Sequence, residues 1–225
     1  MRYPIVLFDL DGTLTNHKKE ITPKTKAAIM EMQKQGIEGQ PRESLYRFIG
    51  PPLHESYEKF YSFSREQAMQ AVSYYREYYE EKGMFENEVY PGIKQLLRDL
   101  TKQGVLCLVA TSKPEIYAKK ILDYYELSNY FYYIAGANMD GTRTDKAEVI
   151  AYALKQIPAE YSNKKVLMVG DRSHDIIGAK KNGIDCAGVL FGYGSSEELE
   201  EAGADFIADS VEAVRNIILL DTAMN

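Results

Sequence analysis

The chain has 225 residues, 45% hydrophobic and 27% charged, which supplies a sizeable core and excludes a globally disordered chain. Its 27 Lys and Arg against 33 Asp and Glu give a net charge of −6, which argues against a nucleic-acid polymer as partner. No apolar stretch approaches the ~20 residues that span a bilayer, and the short apolar run near the start ends in acids rather than in a cleavage site. A cytoplasmic protein with no membrane partner is expected. The two cysteines, Cys107 and Cys186, sit in apolar stretches and read as core residues of a reducing compartment.

In chain order, residues 5–8 (IVLF) read as a buried strand that runs into Asp9-Leu10-Asp11-Gly12. From Thr15 to Gly83 no strand pattern appears. Thr22-Pro23 reads as a helix start, Gly50-Pro51-Pro52 as a turn, and Ser64-Arg65-Glu66-Gln67 as a capping box. Ala68, Ala71, Val72, Tyr75 and Tyr79 follow at helical spacing, with Gly83 as a stop. This predicts a small all-helical cap over residues 15–84, inserted into a core of residues 1–14 and 85–225.

Short β-branched runs then recur at 105–110, 132–137, 166–170, 187–192 and 205–208. Such non-alternating runs suit parallel strands buried on both faces. Helical spacing fills the gaps: Ile93, Leu96, Leu97, Leu100; then Ile116, Ile121, Leu122, Tyr125; then Val149, Ile150, Ala153, Leu154; then Ile176, Ile177, Ala179, Lys180. The alternation predicts an α/β fold, a doubly wound parallel sheet of Rossmann-like type. The tyrosine-rich stretches SYYREYYE and DYYELSNYFYY read as packing.

Ligands of open α/β sheets bind beyond the carboxyl ends of the strands. That rule gathers Asp9 and Asp11, Thr111-Ser112-Lys113, Lys146, and Asp171 with Asp175 into one expected pocket. Four carboxylates with one lysine call for a hard divalent cation, and Mg²⁺ retains sites for phosphate oxygens. Such a pocket suits phosphoryl transfer: Asp9 attacks, while Asp11 protonates the leaving oxygen and later activates water. Gly12 permits a sharp turn with amides near the phosphate, and Lys146 balances phosphoryl charge. Ser112 to Glu115 has capping-box spacing, which places a helix start beside Thr111 and Ser112, facing the same anion.

FDLDGTLT, VATSKP, the isolated Lys146 and MVGDRSHD, in that order, resemble the four motifs of the haloacid dehalogenase-like (HAD) phosphohydrolases. The resemblance spans about residues 5–192, and IGPPL with GVLFGYGS is similar to the helical-cap subgroup of phosphoglycolate phosphatases and 5′-nucleotidases. It implies a Mg²⁺-dependent phosphomonoesterase for a small phosphorylated metabolite, acting through an aspartyl phosphate on Asp9. It further implies that Asp9 and Asp171 bind Mg²⁺ directly, Asp11 through its backbone carbonyl and Asp175 from the outer shell. Thr111 then holds the phosphate, and Lys146 pairs with both phosphate and Asp9.

Other residues are expected nearby. Arg47 and Lys113 are candidate substrate contacts, as are His17, Lys18 and Lys19 in the entry to the cap, and Arg143 beside the Asp140-Gly141 turn. His174 and His54 read as surface residues, and GSSEELEEAGAD as a solvated helix. Two rival functions share the pocket. A phosphomutase of β-phosphoglucomutase type keeps all four motifs, and a receiver-type phospho-accepting domain also joins acids, a hydroxyl and a lysine. An EF-hand calcium loop needs three alternating acids and an upstream helix, which IVLF does not supply.

Overall fold

The computed structural model describes residues 1–17, 53–81 and 83–220. Lys18, Lys19, Arg47, Thr22-Pro23 and Gly50-Pro51-Pro52 lie outside the described residues, as does the side chain of His17. The chain divides into two units, residues 1–16 with 88–225 and residues 17–87.

The strands are β1 (Ile5–Phe8), β2 (Thr15–His17), β3 (Asn87–Val89), β4 (Leu106–Pro114), β5 (Tyr133–Ala137), β6 (Val166–Gly170), β7 (Asp185–Val189) and β8 (Phe206–Ala208). The helices are α1 (Leu53–Tyr61), α2 (Arg65–Glu81), α3 (Ile93–Lys102), α4 (Glu115–Tyr124), α5 (Lys146–Leu154), α6 (Ser173–Lys181), α7 (Ser196–Glu201) and α8 (Val211–Leu219). Six strands form one parallel sheet flanked by helices, in the order β5-β4-β1-β6-β7-β8, while β2 and β3 pair separately. The sheet grows from β1 through β4 to β5, then returns to β6 on the other side of β1. Strand order therefore reverses around β1, where open sheets form their ligand crevice.

The apolar strands set this register. Ile5 to Phe8 are all buried, and Phe8 lies opposite Val109 on one side and Val169 on the other. One step further come Asp9, Ala110 and Gly170; two steps further come Leu10, Thr111 and Asp171. Parallel pairing thus delivers the polar residues of three segments to one edge. Ile5 and Leu7 join Leu108, Met168, Val149, Ile150, Ala153 and Ile176 in a continuous core that packs α5 and α6 on the sheet.

The smaller unit contains α1 and α2. The capping box is formed: the Gln67 N–H donates to Ser64 Oγ at 3.2 Å, and the Ser64 N–H donates to Gln67 Oε1 at 2.9 Å. Tyr57, Ala68, Ala71 and Val72 make a core of their own, with Tyr57 stacked on Phe63 at 5.9 Å between ring centroids.

Several expectations are corrected. β7 begins at Asp185 and ends at Val189; Leu190 onward turns away, because the loop it enters bends toward Asp171. On α4 the buried face is Tyr117, Ala118, Ile121 and Leu122, so Ile116, one position round, is exposed. Ile177 is exposed on α6 for the same reason. Lys180 is exposed too, and it bonds Asp205 at 2.6 Å. Tyrosine packing holds for Tyr79, but Tyr74, Tyr124 and Tyr132 are exposed. His174 is exposed as expected, whereas His54 is half-buried. Among the described residues, no helix is long and apolar enough to cross a membrane.

Candidate active site

Asp9, Asp171 and Asp175 converge beyond the carboxyl ends of β1 and β6, all buried, with one oxygen from each within 4.8 Å of the others. Lys146, the first residue of α5, reaches into this cluster. Its Nζ donates to Asp9 Oδ1 at 2.5 Å and to the Ala110 carbonyl at 3.1 Å, and lies 2.8 Å from Asp175 Oδ1. Asp145 fixes that helix start by accepting the Ala147 N–H at 2.8 Å. Three carboxylates around one ammonium leave an excess of negative charge away from water. Burial pushes the Asp9 carboxyl up to about 6, against the pull of Lys146. It pushes Asp171 up to about 8, with Asp175 and Asp9 adding repulsion. Burial opposes the charge on Lys146, but Asp175 and Asp9 outweigh it and hold its pKa above the usual lysine range. The donor set is oxygen-only, buried and anionic, so it fits a hard divalent cation such as Mg²⁺.

Asp11 stands apart from the triad. Its Oδ2 pairs with Lys113 Nζ at 2.8 Å, and both side chains are partly exposed. The contribution expected of Asp11 to a metal is its backbone carbonyl, and its carboxylate lies outside the buried cluster of Asp9, Asp171 and Asp175. Thr111 is buried, and its Oγ1 accepts the Lys113 N–H at 3.3 Å. Ser112 beside it is half-buried.

The helix start expected at Ser112 is not there. β4 continues past an irregularity to Pro114, and α4 begins at Glu115 with no side-chain cap on its first amides. The residue before a proline is steered out of the helical region, so Lys113 stays extended and its N–H bonds Thr111.

Gly12 meets a real backbone demand. Its φ is +93°, and a Cβ there would run into the Asp171 carboxylate. Gly192 and Gly194 are constrained in the same way, since a Cβ on either would collide with Asp171.

These contacts reveal residues that sequence reasoning passed over. Tyr193, between those two glycines, donates its N–H to Asp171 Oδ2 at 2.8 Å, and Thr13 Oγ1 lies 3.4 Å from Asp171 Oδ1. Glu198, read as part of a solvated helix, accepts the Arg172 Nε–H at 3.0 Å and the Ser173 N–H at 2.8 Å through one oxygen. It therefore braces the turn that carries Asp171. The sequence signal was Ser195, which caps the Glu198 N–H at 3.2 Å. Asp175 accepts the Arg172 N–H at 3.1 Å, so it stabilises the start of α6 while sharing Lys146. Arg143 is engaged by neighbouring protein groups rather than directed at the pocket.

Comparison with known proteins agrees with this geometry. The family model of the haloacid dehalogenase-like hydrolases matches residues 6–189. A 5′-nucleotidase of Pseudomonas aeruginosa is 39% identical over 97% of this chain and 96% of its own length. The tyrosine-protein kinase PtkA of Mycobacterium tuberculosis is 35% identical over 95% of this chain and 72% of its own. Among solved structures, a predicted phosphatase from Clostridium acetobutylicum superposes with a TM-score of 0.84 at 43% identity, covering 97% of this chain and 99% of that one. With its fold, its buried acid cluster and these relatives, the chain belongs to the haloacid dehalogenase-like hydrolases and is a phosphatase of that family.

Proposed function

We propose that this phosphatase hydrolyses a small phosphomonoester through an aspartyl phosphate on Asp9, with Mg²⁺ held by Asp9, Asp171, Asp175 and the Asp11 carbonyl. The observation that carries the reading is Lys146 bridging Asp9 and Asp175 in a buried cluster with Asp171. Bound there, Mg²⁺ neutralises the acids and the phosphoryl oxygens. Nucleoside 5′-monophosphates are the first substrate class to test, since the bacterial relative of nearly equal extent bears the name 5′-nucleotidase. Phosphoglycolate is the second.

Each side chain has a separate task. Lys146 keeps Asp9 as a carboxylate despite its burial. An Asp9 oxygen attacks phosphorus, the bond from phosphorus to the leaving oxygen breaks, and Asp11 gives that oxygen its proton. Asp11 next removes a proton from water, whose oxygen attacks phosphorus. The Asp9–phosphorus bond breaks, regenerating the carboxylate and releasing inorganic phosphate. Lys113 pairs with the ionised Asp11 in the free protein; when substrate enters, Lys113 turns to the phosphoryl group and Asp11 takes up from solvent the proton that it gives to the leaving oxygen. Thr111, with Gly12 and Ser112 beside it, donates to the same group.

The test is phosphate release from 5′-nucleotides, phosphoglycolate and sugar phosphates, with Mg²⁺ and then with EDTA. Wild-type protein releases phosphate only with Mg²⁺, and Asp9→Asn is inactive while its circular dichroism is unchanged. Substantial turnover by Asp9→Asn would sink the covalent step. Isomerisation of a sugar phosphate stimulated by a bisphosphate, without net phosphate release, would favour the mutase.

A further inference from the structure

Arg143 occupies the left-handed backbone region at φ 52°, where a residue with a side chain stays only when its surroundings over-determine it. Its guanidinium supplies that constraint. Nε donates to the Gly136 carbonyl at 2.8 Å, and a terminal nitrogen donates to Glu115 Oε2 at 3.2 Å. The planar group also lies 3.7 Å from the centroid of the Tyr152 ring. The Tyr152 hydroxyl in turn shares a 2.8 Å hydrogen bond with Tyr133. One side chain therefore joins β5, the first residue of α4, the body of α5 and the loop that leads into α5.

Each of these partners leads to a reacting group. Glu115 is two residues beyond Lys113, whose ammonium pairs with Asp11 and whose N–H bonds Thr111. Its other oxygen, Oε1, is taken by Lys119 at 2.6 Å, so the carboxylate is gripped from both sides. Gly136 lies so close to the junction of β4 and α4 that a Cβ would meet the Lys113 carbonyl oxygen and Glu115 Cα at 2.6 Å. In the other direction Asp145, two residues after Arg143, caps α5 and sets where Lys146 leaves the helix.

We infer that Arg143 is a positioning residue: it clamps the Thr111–Lys113 end of β4 to the start of α5, so that Thr111, Lys113 and Lys146 converge on one phosphoryl group. It does this without touching substrate. The inference rests on the roles proposed above for those three residues. Lysine is a poor replacement, because one ammonium cannot reproduce the two-way fork to Gly136 and Glu115 while stacking on Tyr152.

The test is steady-state kinetics of Arg143→Ala, Arg143→Lys and Asp9→Asn with p-nitrophenyl phosphate at saturating Mg²⁺, with folding checked by circular dichroism. Displacements of about 1 Å in a catalytic array cost ~10²-fold, so Arg143→Ala loses about 30- to 100-fold in kcat with KM within about threefold. Arg143→Lys recovers less than about a tenth of the lost rate. Added guanidinium ion at concentrations that leave the fold intact accelerates Arg143→Ala at least about fivefold and leaves wild type unchanged, which a merely structural residue would not show. A folded Arg143→Ala with kcat within threefold of wild type overturns the inference, as does a loss confined to KM, which marks a substrate contact. If Arg143→Ala does not fold, a folded Arg143→Lys with wild-type kcat overturns it. Activity surviving in Asp9→Asn condemns the underlying mechanism instead, so the two failures are distinct.

Discussion

Lys146→Met isolates the electrostatics of the site from its packing. Methionine keeps the aliphatic stem, which lies against Gly178, but removes the ammonium that sits 2.5 Å from Asp9 and 2.8 Å from Asp175. Breaking a buried ion pair by deleting one partner costs about 3–5 kcal/mol. For a chain of this size that corresponds to a fall of ~6–20 °C in Tm. The penalty depends on pH. In the wild-type fold burial pushes Asp9 up to about 6 and Asp171 up to about 8, while an unfolded aspartate titrates near ~3.9. Between those limits the folded chain holds protons that the unfolded chain has released, so stability falls as pH rises from about 4 toward 8. Removing Lys146 takes away the cation that pulls both groups down, and the window extends upward. The deficit of Lys146→Met relative to wild type therefore grows from pH 5 to pH 8. Thermal melts of both proteins in EDTA at the two pH values measure it. An equal deficit at both pH values, or a variant as stable as wild type at pH 8, refutes the account of buried carboxylates compensated by this lysine.

Two further perturbations test geometry away from the lysine. Gly12→Ala and Gly104→Ala both impose left-handed backbone, at φ +93° and +74°, but a Cβ at Gly104 meets nothing within 4 Å. Each lowers stability by ~1–3 kcal/mol, whereas Gly12→Ala alone abolishes phosphate release; equal activity in the two variants would show that crowding of Asp171 does not matter. Burial pushes the Cys107 thiol up to about 12 and the Cys186 thiol up to about 11, so neither reacts with a thiol reagent in the native protein. Both react in denaturant, and rapid labelling of native protein would contradict the packing.

The sheet was legible because β1 and β6 are continuous apolar runs ending in acids, and a strand buried on both faces admits few other readings. Its ends were less legible where pairing, not hydrophobicity, decides: β7 stops at Val189 although the apolar pattern continues to Phe191. Asp9, Lys146, Asp171 and Asp175 could be gathered from sequence because the parallel register carries chemistry to one edge. Glu198 and the Tyr193 amide could not. Each acts across more than 20 residues of chain, through a fold-back of the loop after β7 onto Asp171 that no periodicity encodes. The glycines at 192 and 194 are the trace of that fold-back. Their meaning appears only once the Asp171 backbone and side chain are seen to fill the space a Cβ would take.

The partners of the four acids explain how one pocket supports different roles. Asp9 faces an ammonium directly, so its oxygen is kept ionised in a place where burial alone would protonate it. Asp171 is cradled by the Tyr193 amide and the Thr13 hydroxyl, neutral donors that orient the carboxyl group without supplying the positive charge that its ionised form needs. That is the environment in which a carboxylate gains most from a divalent cation. Asp175 divides itself between a helix start and Lys146, which ties the buried acid cluster to the lysine. Asp11, at the more exposed end, pairs with Lys113 on β4. Proton transfer needs an acid whose partner can be exchanged, and a partly exposed Lys113 is easier to displace than the buried Lys146. In the proposed reaction the two-residue step from Asp9 to Asp11 thus separates a carboxylate paired with a buried ammonium from one whose pairing can change as the substrate arrives.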